Sequence, residues 1–213
     1  MIVKVCGVRT PEVAEAAIDA GADWIGLMFV PASPRWADDE TALAVMRAVA
    51  GRADLVGVFI EPSVSACDDA ASRYRLGAVQ VHGRLDASLV TAAAVPVIPV
   101  INVSSRQSAS TLEWPPDALM MLDGMPNIGG LPGGTGHRVP FEWAADVARH
   151  RRVLLAGGLG ADDVATAIAT VHPAGVDASS RLERTPGEKD PALVRDFVVA
   201  ARSAAAALEG ALR

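Results

Sequence analysis

Eight alternations of a short apolar run with a longer helical stretch predict an α/β fold, a single-domain (β/α)8 TIM barrel over residues 1–213. Two further observations support it. The runs are apolar at consecutive positions, as in a parallel sheet covered on both faces. The first run leads into Cys6-Gly7-Val8-Arg9-Thr10, which lacks the Gly-x-Gly-x-x-Gly turn of an open, doubly wound sheet. At about 200 residues such a barrel is minimal and its loops are short.

The elements follow in order. Residues 2–6 form the first strand. Thr10-Pro11-Glu12 then supplies an N-cap, a first-turn proline and an acidic first turn. Val13, Ala17 and Ile18 share one face of that helix, and Gly21 is placed to end it. Residues 23–29 are the second strand. Asp38-Asp39 opens a helix with Leu43, Met46 and Ala50 on one side. Residues 54–60 are the third strand, with a helix over 63–74. Residues 78–82 are the fourth, with a helix over 86–93. Residues 97–101 are the fifth, with a weak helix near 106–111. The sixth spans 118–123, and a Gly/Pro-rich loop, 124–140, separates it from a helix over 141–150. Residues 153–156 and a helix over 161–171 form the seventh unit. Residues 175–178 are the eighth strand. The last helix begins at Asp190-Pro191 and packs through Val194, Phe197, Val198 and Ala201.

Composition narrows the function classes. Lys and Arg total 19 and Asp and Glu 25, a net charge of −6 that argues against nucleic acid or an anionic membrane as partner. A hydrophobic fraction of 51% with 21% charged residues excludes a disordered chain. No apolar run approaches the ~18 residues of a membrane span. The N-terminus has no basic region followed by an apolar core, so no signal peptide is expected. Cys6 and Cys67 make no disulfide framework, which points to a reducing cytoplasm. His82, His137, His150 and His172 lie far apart, so no metal site is expected. No exposed apolar stripe stands out, and a monomer is expected. Among the basic residues only Lys4 and Lys189 are lysine, as if those two positions needed a compact ammonium.

In a (β/α)8 barrel the chemistry sits at the C-terminal ends of the strands. Cys6 stands after the first strand, Arg35 in the loop after the second, His82 after the fourth and Asp123 after the sixth. Gly157-Gly158 follows the seventh strand, and Asp177-Ala178-Ser179-Ser180 closes the eighth. The last two loops hold the usual phosphate position of such barrels, where glycines let backbone N–H groups approach an anion. A short helix starting near Ser179 would aim its N-terminus at that anion.

These residues carry a resemblance. Lys4-Val5-Cys6-Gly7, Ser33-Pro34-Arg35, Val79-Gln80-Val81-His82-Gly83, Leu122-Asp123, Gly133-Gly134-Thr135-Gly136, Leu155-Ala156-Gly157-Gly158-Leu159, Val176-Asp177-Ala178-Ser179-Ser180 and Gly187-Glu188-Lys189-Asp190 run in order over essentially the whole chain. Together they resemble the phosphoribosylanthranilate isomerase family of tryptophan biosynthesis. The resemblance implies a (β/α)8 barrel and a cofactor-free Amadori rearrangement of a small phosphorylated substrate. It assigns the base to Cys6 and the acid to Asp123.

The chemistry asks for that pair. Opening the aminofuranose requires a proton on the ring oxygen, and carrying the Schiff base onward requires a base at the neighbouring carbon. Acid and base should face the sugar from opposite sides. The acid needs a raised pKa, and the thiol needs a nearby cation such as Lys4 or Arg9 to lower its own. Asp177 is the competing acid, with a role at the Ser179-Ser180 turn as its alternative. Arg35 is expected to grip the anthranilate carboxylate in a planar fork. His82 is expected to line the aromatic pocket. Gly134 and Thr135 are expected to close over the substrate, and Gly157, Gly158, Ser179 and Ser180 to hold its phosphate.

The sequence also departs from the family pattern. Arg181 follows Ser180 where the family usually has glycine, which either adds charge to the phosphate or alters the turn. Leu27 stands where Phe is commoner, which would alter pocket packing. Rival phosphate-binding barrels fit less well. A metal-dependent epimerase would want a His/Asp set, and an indoleglycerol-phosphate synthase would want lysines at the strand ends. A histidine-pathway isomerase would carry Asp at position 6. A non-catalytic phosphate sensor would have no use for Cys6 and Asp123.

Overall fold

The eight expected strands form in a computed structural model, which describes residues 1–84, 87–103, 117–124 and 139–211. They are β1 (Ile2–Cys6), β2 (Trp24–Met28), β3 (Asp54–Ile60), β4 (Leu76–His82), β5 (Val97–Asn102), β6 (Leu119–Asp123), β7 (Arg152–Leu155) and β8 (Gly175–Ala178). All neighbours are parallel, and β1 pairs with both β2 and β8, so the sheet closes into a barrel. The weak helix expected near 106–111 and the loop segment 125–138 lie outside the described residues.

Helices α1 (Pro11–Asp19), α2 (Asp39–Val49), α3 (Val64–Tyr74), α4 (Ala87–Ala92), α5 (Phe141–Ala148), α6 (Val164–Val171) and α7 (Pro191–Ala211) cover the outside. Their starts follow local chemistry. The Thr10 hydroxyl accepts from Val13 N, the Asp38 carboxylate from Thr41 N, and the Ser63 hydroxyl from Ala66 N. Three ends are less legible. Ala50, Arg75 and His172 cap α2, α3 and α6 in the left-handed region without being glycine. Ala50 therefore lies off the helix and is exposed, and Ala42, Val45 and Val49 make the buried face instead. The helix expected from residue 161 begins at Val164, because Asp163 turns back to accept from Gly160 N at 2.8 Å.

Strand side chains alternate between two cores. Val3, Val5, Ile25, Leu122, Leu155 and Val176 face the helices and pack with Val13, Val45, Ile168, Val194 and Phe197. Leu27 belongs to this outer core, so its replacement of Phe lies between sheet and helices and not in the pocket. The other strand face fills the barrel. Val56, Ala78, Ile98, Val100, Met121 and Leu154 form an apolar plug. Polar residues stand beyond it toward the strand C-termini. That is the end at which barrels of this kind carry their chemistry.

One element was not expected. After a single turn of 3-10 helix, Ser180–Leu182, the chain makes an antiparallel hairpin of β9 (Glu183–Thr185) and β10 (Glu188–Lys189) before α7. Among the described residues no helix is long and apolar enough to cross a membrane.

Candidate active site

β1 and β8 bring the first charges together. Their register sets Lys4 against Asp177, and Lys4 Nζ donates to Asp177 Oδ1 at 2.8 Å. Lys4 is wholly buried. Burial works to lower its pKa, but Asp177 and Cys6 outweigh this and the net shift is upward. The ammonium therefore stays charged inside the barrel. Its charge also acts on the Cys6 thiol, two residues along the same strand face.

Cys6 is paired in register with Gly26 of β2, where any Cβ would lie 2.9 Å from the sulfur. A glycine there makes room for the thiol. Cations do lower the thiol pKa, as expected from the sequence, but they do not prevail. Burial pushes it up, Lys4 and Lys189 pull it down, Asp177 pushes it up again, and the net shift is upward. Arg9 takes no part. Its exposed guanidinium donates to the Pro34 carbonyl.

Asp123 ends β6, three strands from β1 by way of β8 and β7. It follows Met121 of the inner plug by two residues and so faces inward. Burial raises its pKa, the Gly124 amide at 2.8 Å lowers it, Asp177 raises it further, and the result is about 6. Its carboxyl is protonated far more often near neutrality than an ordinary aspartate. That is the property the ring-opening acid needs.

His82 and Gln80 share the inner face of β4. His82 Nε2 lies 3.0 Å from Gln80 Nε2, so the ring nitrogen acts as acceptor there and its proton sits on Nδ1. Burial, then Lys4, lowers the His82 pKa to about 4, and the ring is neutral. His82 Nδ1, Gln80 Oε1 and Asn102 Oδ1 are buried without a partner among the described residues. Buried polar atoms in that state are sites for a ligand or for water.

Arg35 is buried, but not alone. Its Nε and Nη2 donate to the two Glu183 oxygens at 2.7 and 2.9 Å. Lys189 Nζ meets the same carboxylate at 2.5 Å and the Ser179 hydroxyl at 3.4 Å. Burial tends to raise the Glu183 pKa, and the bonds from Arg35 and Lys189 outweigh it. So one edge of the Arg35 fork is occupied, and Nη1 has no partner among the described residues. Gly7 lets the side chain pass, since a Cβ there would sit 2.8 Å from Arg35 Cδ. Glu183 is not legible in the sequence, where its local context reads as an exposed charge. Lys189 stands out there only as one of two lysines.

Gly157 and Gly158 follow β7 with φ of +92° and +67°. Their N–H groups, and that of Ser179, donate to nothing among the described residues. The Ser179 hydroxyl donates to the Cys6 carbonyl at 3.1 Å, tying the β8 loop to β1. Ser180 opens the 3-10 turn where a short helix was expected. Gly134 and Thr135 lie outside the described residues.

A parallel eight-stranded barrel with titratable groups at its strand ends and free amides in its last two loops falls in the class of phosphate-handling barrel enzymes. Sequence comparison narrows the class. Residues 3–200 match the model of the N-(5'-phosphoribosyl)anthranilate isomerase family, and the chain belongs to that family. The isomerase of Roseiflexus castenholzii is 40% identical over 217 residues, covering 96% of this chain and all of the relative. A phosphoribosylanthranilate isomerase solved with reduced 1-(o-carboxyphenylamino)-1-deoxyribulose 5-phosphate superposes with a TM-score of 0.81 at 28% identity, covering 95% and 100% of the two chains. The dimeric enzyme of Thermotoga maritima, solved as monomers, superposes at 0.79 with 29% identity over 95% and 100%. The chain catalyses the Amadori rearrangement of N-(5'-phosphoribosyl)anthranilate to 1-(2-carboxyphenylamino)-1-deoxyribulose 5-phosphate in tryptophan biosynthesis.

Proposed function

We propose that Asp123 is the acid and Cys6 the base of this rearrangement. The observation that carries the reading is the carboxyl with a pKa of about 6 facing the thiol-bearing strand across the mouth. Asp123 gives its proton to the ring oxygen as the bond from that oxygen to C1' breaks, leaving the Schiff base. The Cys6 thiolate then removes the C2' proton to give the enolamine, which tautomerises to the ketone. Lys4 holds charge beside the thiolate as it forms, and Asp177 keeps Lys4 in place.

The rest of the substrate fits the remaining groups. Arg35 presents its Nη1 edge to the anthranilate carboxylate while Glu183 steadies the other edge. His82 lines the ring pocket as a neutral donor. The amides of Gly157, Gly158 and Ser179, with Ser180, receive the phosphate.

Arg35→Met tests the ring end. The expected result is a KM raised about 10- to 100-fold, the worth of a charge-assisted bidentate bond, with kcat changed much less. Inhibition by anthranilate should weaken in parallel and inhibition by inorganic phosphate should not. Equal weakening of both inhibitors would remove Arg35 from the ring pocket.

We also propose that the enzyme acts as a monomer in a reducing cytoplasm. Trp36, Leu193 and Val199 are the exposed large apolar side chains among the described residues, a small number for a chain of this size. Cys6 and Cys67 are both free, and a thiol base must stay reduced. Sedimentation at the mass of one 22.0 kDa chain is expected, and twice that mass would refute the monomer.

A further inference from the structure

Arg181 crosses from the loop after β8 to the loop after β7. Its Nη2 donates to both Asp162 oxygens at 2.7 and 2.8 Å. Its Nη1 donates to Asp163 Oδ2 at 2.7 Å and, more weakly, to the Gly158 carbonyl at 3.4 Å. Asp163 uses its other oxygen to accept from Gly160 N. The fit is close, since a Cβ on Gly160 would lie 2.9 Å from Arg181 Cζ. The guanidinium therefore grips both ends of the segment 158–163, whose first residue carries one of the free amides.

Charge adds a second consequence. Among the described residues, Arg181 is the cation set against the carboxylates of Asp162 and Asp163. Removing it takes a positive charge away from the loop that would hold a phosphate dianion.

We infer that Arg181 is a positioning residue for the phosphate. It braces the Gly157-Gly158 loop against the turn that follows β8, and it masks Asp162 and Asp163. It does not itself take the anion, because both terminal nitrogens are already engaged by carboxylates. The inference rests on the assignment of the phosphate to these loops, and the experiment separates the two.

The measurement is competitive inhibition of the purified full chain by inorganic phosphate and by anthranilate, with KM and kcat, in wild type, Arg181→Met, Arg181→Lys and Arg181→Met/Asp162→Asn. Thermal melts establish that each variant is folded. In Arg181→Met the phosphate Ki and the KM are expected to rise about tenfold, the scale of one lost charged hydrogen bond, with kcat and the anthranilate Ki within about twofold of wild type. Arg181→Lys should fall between, since an ammonium lacks the fork that spans two carboxylates. The double variant should recover part of the loss, because one unmasked carboxylate is gone. A phosphate Ki unchanged in folded Arg181→Met overturns the brace. So does an equal loss for both inhibitors, which would mark a general structural role. Failure of phosphate to compete in wild type, where anthranilate does, overturns the assignment of the phosphate to these loops, and the brace with it.

Discussion

Asparagine at position 123 is expected to lower kcat by about 10²–10⁴, the usual worth of a positioned general acid. The amide cannot deliver a proton to the ring oxygen. The pH profile offers a sharper sign. Turnover needs Asp123 protonated and Cys6 ionised. The carboxyl titrates at about 6, and the thiol above its ordinary range. Near neutrality most molecules hold the two protons the other way round. Below pH 6 the carboxyl is protonated and the rate rises with pH as thiolate appears. Above 6 the carboxyl loses its proton as fast as the thiolate gains, so kcat/KM is level until the thiol titrates. The productive form is then fewer than about one molecule in a hundred across that plateau. In Asp123→Asn the break near 6 disappears, and residual kcat/KM climbs steadily with pH up to the thiol limb. A variant that keeps the break at 6 would move the acid elsewhere, with Asp177 the next residue to test.

Serine at position 6 is the second large effect. Its hydroxyl is too weak an acid to ionise beside Lys4 at neutral pH, so proton abstraction at C2' should fall by about 10³ or more. The change is nearly isosteric, and Gly26 has already opened the space, so the melting temperature should barely move. KM should stay within a few-fold, because the thiol meets the substrate at the reacting carbon and does not grip it. Wild-type turnover in Cys6→Ser would rule out the thiol as base.

The sequence was readable where structure is local or periodic. The cap at Thr10 and the Asp38-Asp39 pair announce their helices, and the continuous apolar runs announce buried parallel strands. Strand order then placed Cys6, His82, Asp123 and Asp177 at one end of the barrel, and the family motifs supplied their roles. Partnerships across the chain were not readable. Arg35 and Glu183 are 148 residues apart, and neither neighbourhood hints at the other. The thiol's upward shift was illegible for the same reason, because it depends on burial by the closed barrel and on Asp177. Arg181 was visible as a departure, but whether its charge faces the phosphate or two aspartates is settled only by the fold. The left-handed caps at Ala50, Arg75 and His172 carry no local mark, since tertiary packing holds conformations that glycine would adopt freely.

The Lys4–Asp177 bond also has a meaning in time. Its partners are 173 residues apart and belong to the first and the last strand of the barrel. A chain growing from its N-terminus makes the lysine long before the aspartate. Burying that ammonium without its partner would cost several kcal/mol, so the inner face of β1 stays wet until β8 docks. Contacts of such long separation close late. The two strands that must meet at this seam also carry the thiol and the residues beside the phosphate. Catalysis therefore appears only when the barrel has shut, and recovered turnover during refolding is a clock for closure, not for the earlier return of helices.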